Sequence, residues 1–176
     1  QDNSGTIAQA SDRIGTIVDN FKDFARLDEA EFQQADIHDG LNSTVNLLQH
    51  EIGDVQVVRD YGEIPLIRCY PNQLNQVFMS LLSRCLSTIE GKGEIHLQTR
   101  AEDGLLHVVI RDSGSGIPAD ELDALFDLGF QTADARIRFD TSLPSAYNIV
   151  KSHDGNLTVS SSLGKGTRFT VTLPLS

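Results

Sequence analysis

The sequence predicts an α+β fold, a two-layer α/β sandwich in which helices cover one face of a mixed sheet. Three observations lead there. Two alternating apolar runs, Glu94 to Ala101 and Leu105 to Asp112, are joined by a Glu-Asp-Gly turn and read as paired strands. A second hairpin pattern fills Asn156 to Leu173. Helical periodicities separate the strands, the strongest starting at Pro71, and one-sided strands with amphipathic helices bury each other as two layers.

The elements follow in order. Ile7, Ala10, Ile14, Ile17, Phe21 and Phe24 recur three and four apart, with Val18 and Ala25 widening the seam. A long amphipathic helix is therefore expected over about residues 4–29. Its stripe must be covered by the rest of the chain or by a second copy of the helix. Leu41 to Glu51 is the next helix, with His38 at its start. Val55 to Tyr61 and Leu66 to Tyr70 read as strands around a turn containing Gly62 and Pro65. Pro71 suits a first helical position. The helix it opens is expected to run to about Glu90, to end at Gly91-Lys-Gly93, and to bury Leu74, Phe78, Leu81, Leu82, Cys85 and Ile89. After Asp112 come a glycine turn and a short acidic helix, then a loop-rich stretch at 126–142, then a helix over Ser145 to Ser152 and the terminal hairpin.

A chain of 176 residues accommodates one domain with an appended helix and can bury a real core. The expected division is a helix at 1–30 and a domain at 31–176. A net charge of -11 argues against a nucleic-acid surface. No apolar run approaches the length of a membrane span, so no direct membrane contact is expected from this segment. Cys69 and Cys85 lack metal-site spacing and read as buried thiols of a reducing compartment, the cytoplasm. The chain begins with Gln1 and not Met, as a piece excised from a longer protein would.

The most informative stretch is Arg111-Asp-Ser-Gly-Ser-Gly-Ile-Pro118, directly after a strand. Asp112 offers a carboxylate to a donor such as an exocyclic amine. Gly114 and Gly116 lack the side chains that would block close approach of a ligand to the backbone. The plainer alternative is a tight strand-to-helix connection, in which Asp112 and Thr167 are a polar pair holding the sheet end together.

Three further segments fall in a telling order: Leu74-Asn-Gln-Val-Phe-Met-Ser-Leu-Leu-Ser-Arg-Cys-Leu86, Leu125-Phe-Asp-Leu-Gly-Phe-Gln-Thr132, and Tyr147 to Gly155 followed by a strand pair containing Gly164-Lys-Gly-Thr-Arg-Phe169. Together with the glycine turn they resemble the catalytic and ATP-binding domain of sensor histidine kinases, which has the Bergerat fold. The resemblance covers nearly the whole chain. It implies ATP or ADP as ligand, with Asp112, Gly114, Gly116 and Thr167 at the adenine end. It also implies that the 1–30 helix is the second helix of a dimerisation bundle, and that partners are a second copy, a response regulator or another histidine kinase.

Two departures from the family pattern bear on activity. The resemblance places asparagines where Ser80 and Arg84 stand, the second of them a ligand of the Mg²⁺ that bridges the ATP phosphates. A guanidinium carries donors only and cannot ligate a cation, so Mg²⁺ and a metal site are not expected. Three roles stay open for Arg84: pairing directly with phosphate, filling the site against an acidic side chain, or pointing to solvent. The second departure is the lid. The family's glycine run wraps the triphosphate with backbone N–H groups, whereas this chain reads Arg138-Phe-Asp-Thr-Ser-Leu-Pro-Ser-Ala146. It has no glycine from 130 to 154, and Ala133 stands where a lysine is common. Arg136, Arg138 and Lys151 remain as cations that attract phosphate.

None of the five histidines sits in a phosphoacceptor context, so this chain is not expected to autophosphorylate, and no catalytic residue is assigned. The expected function is a two-component histidine-kinase-like domain acting as a pseudokinase, regulating through protein contacts with impaired Mg-ATP binding. The alternative is an active ATP-dependent histidine kinase domain in which Arg84 does the metal's electrostatic work. A third reading is a dimerisation module with no small-molecule ligand.

Overall fold

The computed structural model describes residues 31–125 and 142–175. The expected 4–29 helix and nearly all of the 126–142 stretch lie outside the described residues. The elements are β1 (Gln33–Ala35), α1 (Ile37–Leu47), α2 (Gln49–Ile52), β2 (Gln56–Tyr61), β3 (Ile67–Cys69), α3 (Pro71–Thr88), β4 (Glu94–Glu102), β5 (Leu105–Asp112), α4 (Ala119–Leu122), α5 (Ser142–Ser152), β6 (Asn156–Ser161) and β7 (Thr167–Pro174). The main sheet runs β2-β4-β5-β7-β6. Its β2–β4 pair is parallel and its other pairs are antiparallel, which makes the mixed sheet expected.

One expectation is corrected. β2 and β3 do not pair around a turn. β2 lies beside β4, and β3 pairs antiparallel with β1 in a separate two-stranded sheet. The reason lies at Gly62. Its N–H donates to the Thr99 carbonyl at 2.9 Å, so β4 continues to hold the chain past the end of β2. A Cβ at Gly62 would sit 2.6 Å from that carbonyl oxygen, so no other residue follows the path. Pro65 then supplies no N–H for a ladder, and the chain crosses through β3 and α3 before returning as β4.

α3 is the centre of the helical layer, packed between α1 and α5. It buries Leu74, Phe78, Leu81, Leu82 and Cys85 as its periodicity requires, and Val77 with them. Ile89 is only partly buried, because the helix stops at Thr88 and Ile89 is already extended (φ -94°, ψ 121°). Opposite α3, alternate residues of β4, β5 and β7 point inward, among them Leu97, Ile110 and Phe169. Each large side chain so buried stabilises by about 1.5–3 kcal/mol. α1 begins earlier than expected because Asp36 caps it, accepting from the His38 N–H at 2.8 Å.

Both cysteines are free and fully buried. Burial pushes the Cys69 thiol from 9.0 up to about 11. Burial also pushes Cys85 well above its ordinary value; the charge of Asp112 adds to this and that of Arg84 opposes it. Only a thiolate reacts readily, so iodoacetamide at pH 8 is expected to label neither cysteine in the native chain and both in urea. The raised Cys69 value also fixes a sign. Its stabilising contribution is complete below about pH 9 and is lost as pH rises toward about 11. Urea midpoints measured at pH 8 and pH 10.5 should show that fall.

Candidate functional site

β5 ends in Asp112, and strand alternation turns this residue inward toward the end of α3. Its side chain is 2% exposed. Oδ1 accepts from the Gly114 N–H at 2.7 Å and the Thr167 N–H at 3.3 Å, and lies 3.3 Å from the Thr88 hydroxyl, whose one proton is shared with the Cys85 carbonyl at 2.9 Å. The carboxylate is therefore held by three different parts of the chain. Oδ2 is also buried, and it has no hydrogen-bond partner among the described residues. The neighbouring Cys85 thiol is a weak donor at best. A buried carboxylate oxygen left short of a donor costs about 1–3 kcal/mol or more, and an N–H donor from a ligand would supply what is missing.

The two motif glycines have structural work of another kind. A Cβ at Gly114 would meet the Thr88 hydroxyl and lie 2.7 Å from the Thr88 carbonyl oxygen. Gly116 has φ +76°, and its Cβ would run into the Ser162 carbonyl. The approach these glycines permit is chain on chain: the turn lies against the end of α3 on one side and the β6–β7 connection on the other. Backbone bonds stitch it there, from Ser115 N to Thr88 O at 3.0 Å and from Gly164 N to Ser115 O at 2.8 Å.

Thr167 reaches Asp112 through its backbone. Its hydroxyl bonds Ser161 Oγ at 2.9 Å. Ser161 Oγ in turn donates to the Gly166 carbonyl at 2.8 Å and accepts from the Ile117 N–H at 2.8 Å. Its single proton goes to Gly166, so Thr167 is the donor in the remaining bond. Replacing Ser161 by alanine removes all three bonds and is expected to lower stability by about 1–3 kcal/mol, measured by urea unfolding. Ser160→Ala, at the exposed neighbouring position, is the comparison and should leave the midpoint nearly unchanged.

Ser80 and Arg84 lie one turn apart on α3. Ser80 is buried and donates to the Gln76 carbonyl at 2.9 Å, a bond within its own helix. Arg84 is half-buried and engaged, so it does not simply point to solvent. The sequence therefore identified Asp112, Gly114 and Thr167, which the fold brings together, while Gly116 braces the same turn from the hairpin side. It missed Thr88, Ser161 and Gly166. Gly166 carries φ +80°, and its Cβ would collide with the Asp112 carbonyl. The -Gly-Lys-Gly- spacing was the available signal.

Three of the five histidines make close contacts within the scaffold. His38 stacks on Tyr61 with ring centroids 4.3 Å apart and meets the Thr99 hydroxyl at 2.7 Å. His153 accepts from the Tyr70 N–H at 3.2 Å, and its other nitrogen lies 2.8 Å from the Ile149 carbonyl. His96 pairs with Glu94 at 2.9 Å.

Residues 69–176 match the family described as histidine kinase-, DNA gyrase B-, and HSP90-like ATPase. The chain belongs to this family. Sporulation kinase E of Bacillus subtilis (strain 168) is 32% identical over 168 residues, covering 93% of this chain and 22% of the relative. Sensor histidine kinase ZraS of Escherichia coli (strain K12) is 27% identical over 173 residues, covering 97% of this chain and 37% of the relative. The chain thus spans between 22% and 37% of the length of these curated relatives. The catalytic domain of histidine kinase ThkA superposes with a TM-score of 0.72 at 17% identity, over 82% of this chain and 96% of that one. ShkA, solved full-length in complex with AMPPNP, gives 0.70 at 20% identity, over 98% of this chain and 38% of that one. These superpositions show the fold, the α+β sandwich of histidine kinase catalytic domains.

Proposed function

We propose that this chain is the nucleotide-site portion of a two-component histidine-kinase-like protein that acts as a pseudokinase. It holds ATP or ADP by the adenine end and regulates through protein contacts. The observation that carries this reading is the contrast within one site. Asp112 keeps a buried, undersupplied oxygen suited to an exocyclic amine, while Arg84 stands where a metal ligand belongs in the family.

The fit to nucleotide differs between the two ends. At the adenine end Asp112 Oδ2 fits an N–H donor. At the metal end the residues do not fit a cation, since Arg84 carries donors only and Ser80 offers a single neutral hydroxyl, buried and turned back onto its own helix. No phosphoryl transfer is therefore routed through a bound metal. Loss of charge neutralisation at the phosphates costs several orders of magnitude in rate. The half-buried position of Arg84 favours one second reading, an active domain in which its guanidinium replaces the metal.

The remaining assignments rest on the family. Residues 1–30 would be the closing helix of a dimerisation bundle and 31–176 the nucleotide domain. The partners would be a second copy, and a response regulator or another histidine kinase, in the cytoplasm. Light scattering should report a dimer mass that Ile14→Asp reduces to a monomer; a monomer at the outset contradicts dimerisation through this helix. Radiolabel transfer from ATP tests the function itself. The pseudokinase reading expects none to the full-length protein, and transfer abolished by Asp112→Asn would establish the active reading instead.

A further inference from the structure

Among the described residues, helices cover one face of the main sheet. On the other, strand alternation turns Arg111 outward beside the inward Asp112, and Arg168 outward beside the inward Thr167. The β5–β7 register sets Arg111 directly against Arg168. The same row continues to His96 on β4 and Ser160 on β6. All four residues are exposed.

Like charges directly opposite destabilise a strand pair, and arginine stays charged at every working pH. A carboxylate would relieve this. Yet Arg111 and Arg168 form no ion pair among the described residues. Of the acids on this face, Glu94 lies 2.9 Å from His96, at the edge of the row itself, Glu102 pairs with Arg100 at 3.7 Å, and Asp60 accepts from Gln98 at 2.8 Å. A chain of net charge -11 therefore keeps, among the described residues, an arginine pair with no direct carboxylate partner in the middle of this sheet face.

We propose that the Arg111–Arg168 row is the docking site for a short acidic segment of a partner protein. Two adjacent guanidinium forks match carboxylates in bidentate geometry. The flanking Val109 and Thr170, paired in the next positions, offer apolar contact beside the charges. Net charge decides the class of partner. An extended polyanion, whether a bilayer or a nucleic acid, meets the repulsion of the whole acidic chain. A short segment senses mainly what lies within a Debye length of about 8 Å. The site does not depend on nucleotide binding.

The test uses the 176-residue chain and a fluorescent ten-residue peptide of alternating Glu and Ser, read by anisotropy. Binding is expected to weaken by about tenfold or more in Arg111→Gln/Arg168→Gln. It should change little in Lys92→Gln/Arg68→Gln, which removes the same charge elsewhere, and a peptide with Gln in place of Glu should not bind. Equal losses in both double variants, or no binding of the Glu peptide, would overturn the site. Attachment to phosphatidylserine vesicles that the arginine variant alone abolishes would replace the protein partner with a membrane. In the free chain Arg168→Gln should raise Tm by about 1–3 °C as the repulsion is relieved; a fall would remove the premise.

Discussion

Gly166→Ala is expected to lower the stability of the chain by about 3 kcal/mol, with overlap against the Asp112 backbone adding to the cost of its backbone conformation. Gly166 sits at φ +80°, where an L side chain costs about 1–2 kcal/mol by itself. Its Cβ would also strike the Asp112 carbonyl oxygen and come within 2.8 Å of the carbonyl carbon. Backbone on both sides cannot step aside as a flexible side chain does, so the hairpin would have to leave β5. Gly164 separates the two effects. Its φ is +75°, but no atom lies within 4 Å of its Cβ position. Gly164→Ala should therefore lose only the conformational part, about 1–2 kcal/mol. Urea unfolding of the two variants decides the matter, and equal losses would show that the close approach to Asp112 is unimportant.

Asp112→Asn should weaken ADP binding by about 10- to 100-fold, or about 1.4–2.7 kcal/mol. The asparagine oxygen can take over the bonds now made by Oδ1, from Gly114, Thr167 and Thr88. Its amide then stands where Oδ2 was, and a donor faces the donor of the adenine amine. The fold is expected to survive, so the change in affinity should come with little change in thermal midpoint. Fluorescence competition with a labelled adenine nucleotide measures it. Unchanged affinity would show that Asp112 is only the polar brace of the sheet end.

Much of the scaffold could be read directly from the residues. α3 announces itself by Pro71 and a long apolar stripe, and the 94–112 and 156–173 strand pairs by alternation with turn residues between them. β1 was illegible because Gln33-Gln-Ala35 has no apolar alternation and forms only through its partner β3. The β2–β3 connection was misread because Gly62 and Pro65 look like a hairpin turn, while the deciding contact is with Thr99, far along the chain. The same logic applies to the site. Asp112 and its glycines are contiguous and therefore visible. Thr88 reaches Asp112 from 24 residues away, and no local pattern reports such a meeting; Thr167, 55 residues away, was expected there only through the family resemblance. The glycine positions were found for an incomplete reason, since close approach by the chain itself leaves the same mark in sequence as close approach by a ligand.

On the proposed reading, nucleotide is held from the adenine end without a metal. Calorimetric titration of ATP into the chain, with and without Mg²⁺, for wild type and Arg84→Asn, tests it most directly. Binding in the wild type is expected to be unchanged by Mg²⁺, and Arg84→Asn is expected to gain Mg²⁺ dependence. Binding that requires Mg²⁺ in the wild type, or no binding at about 1 mM ATP, a free energy of about -4 kcal/mol, would contradict it.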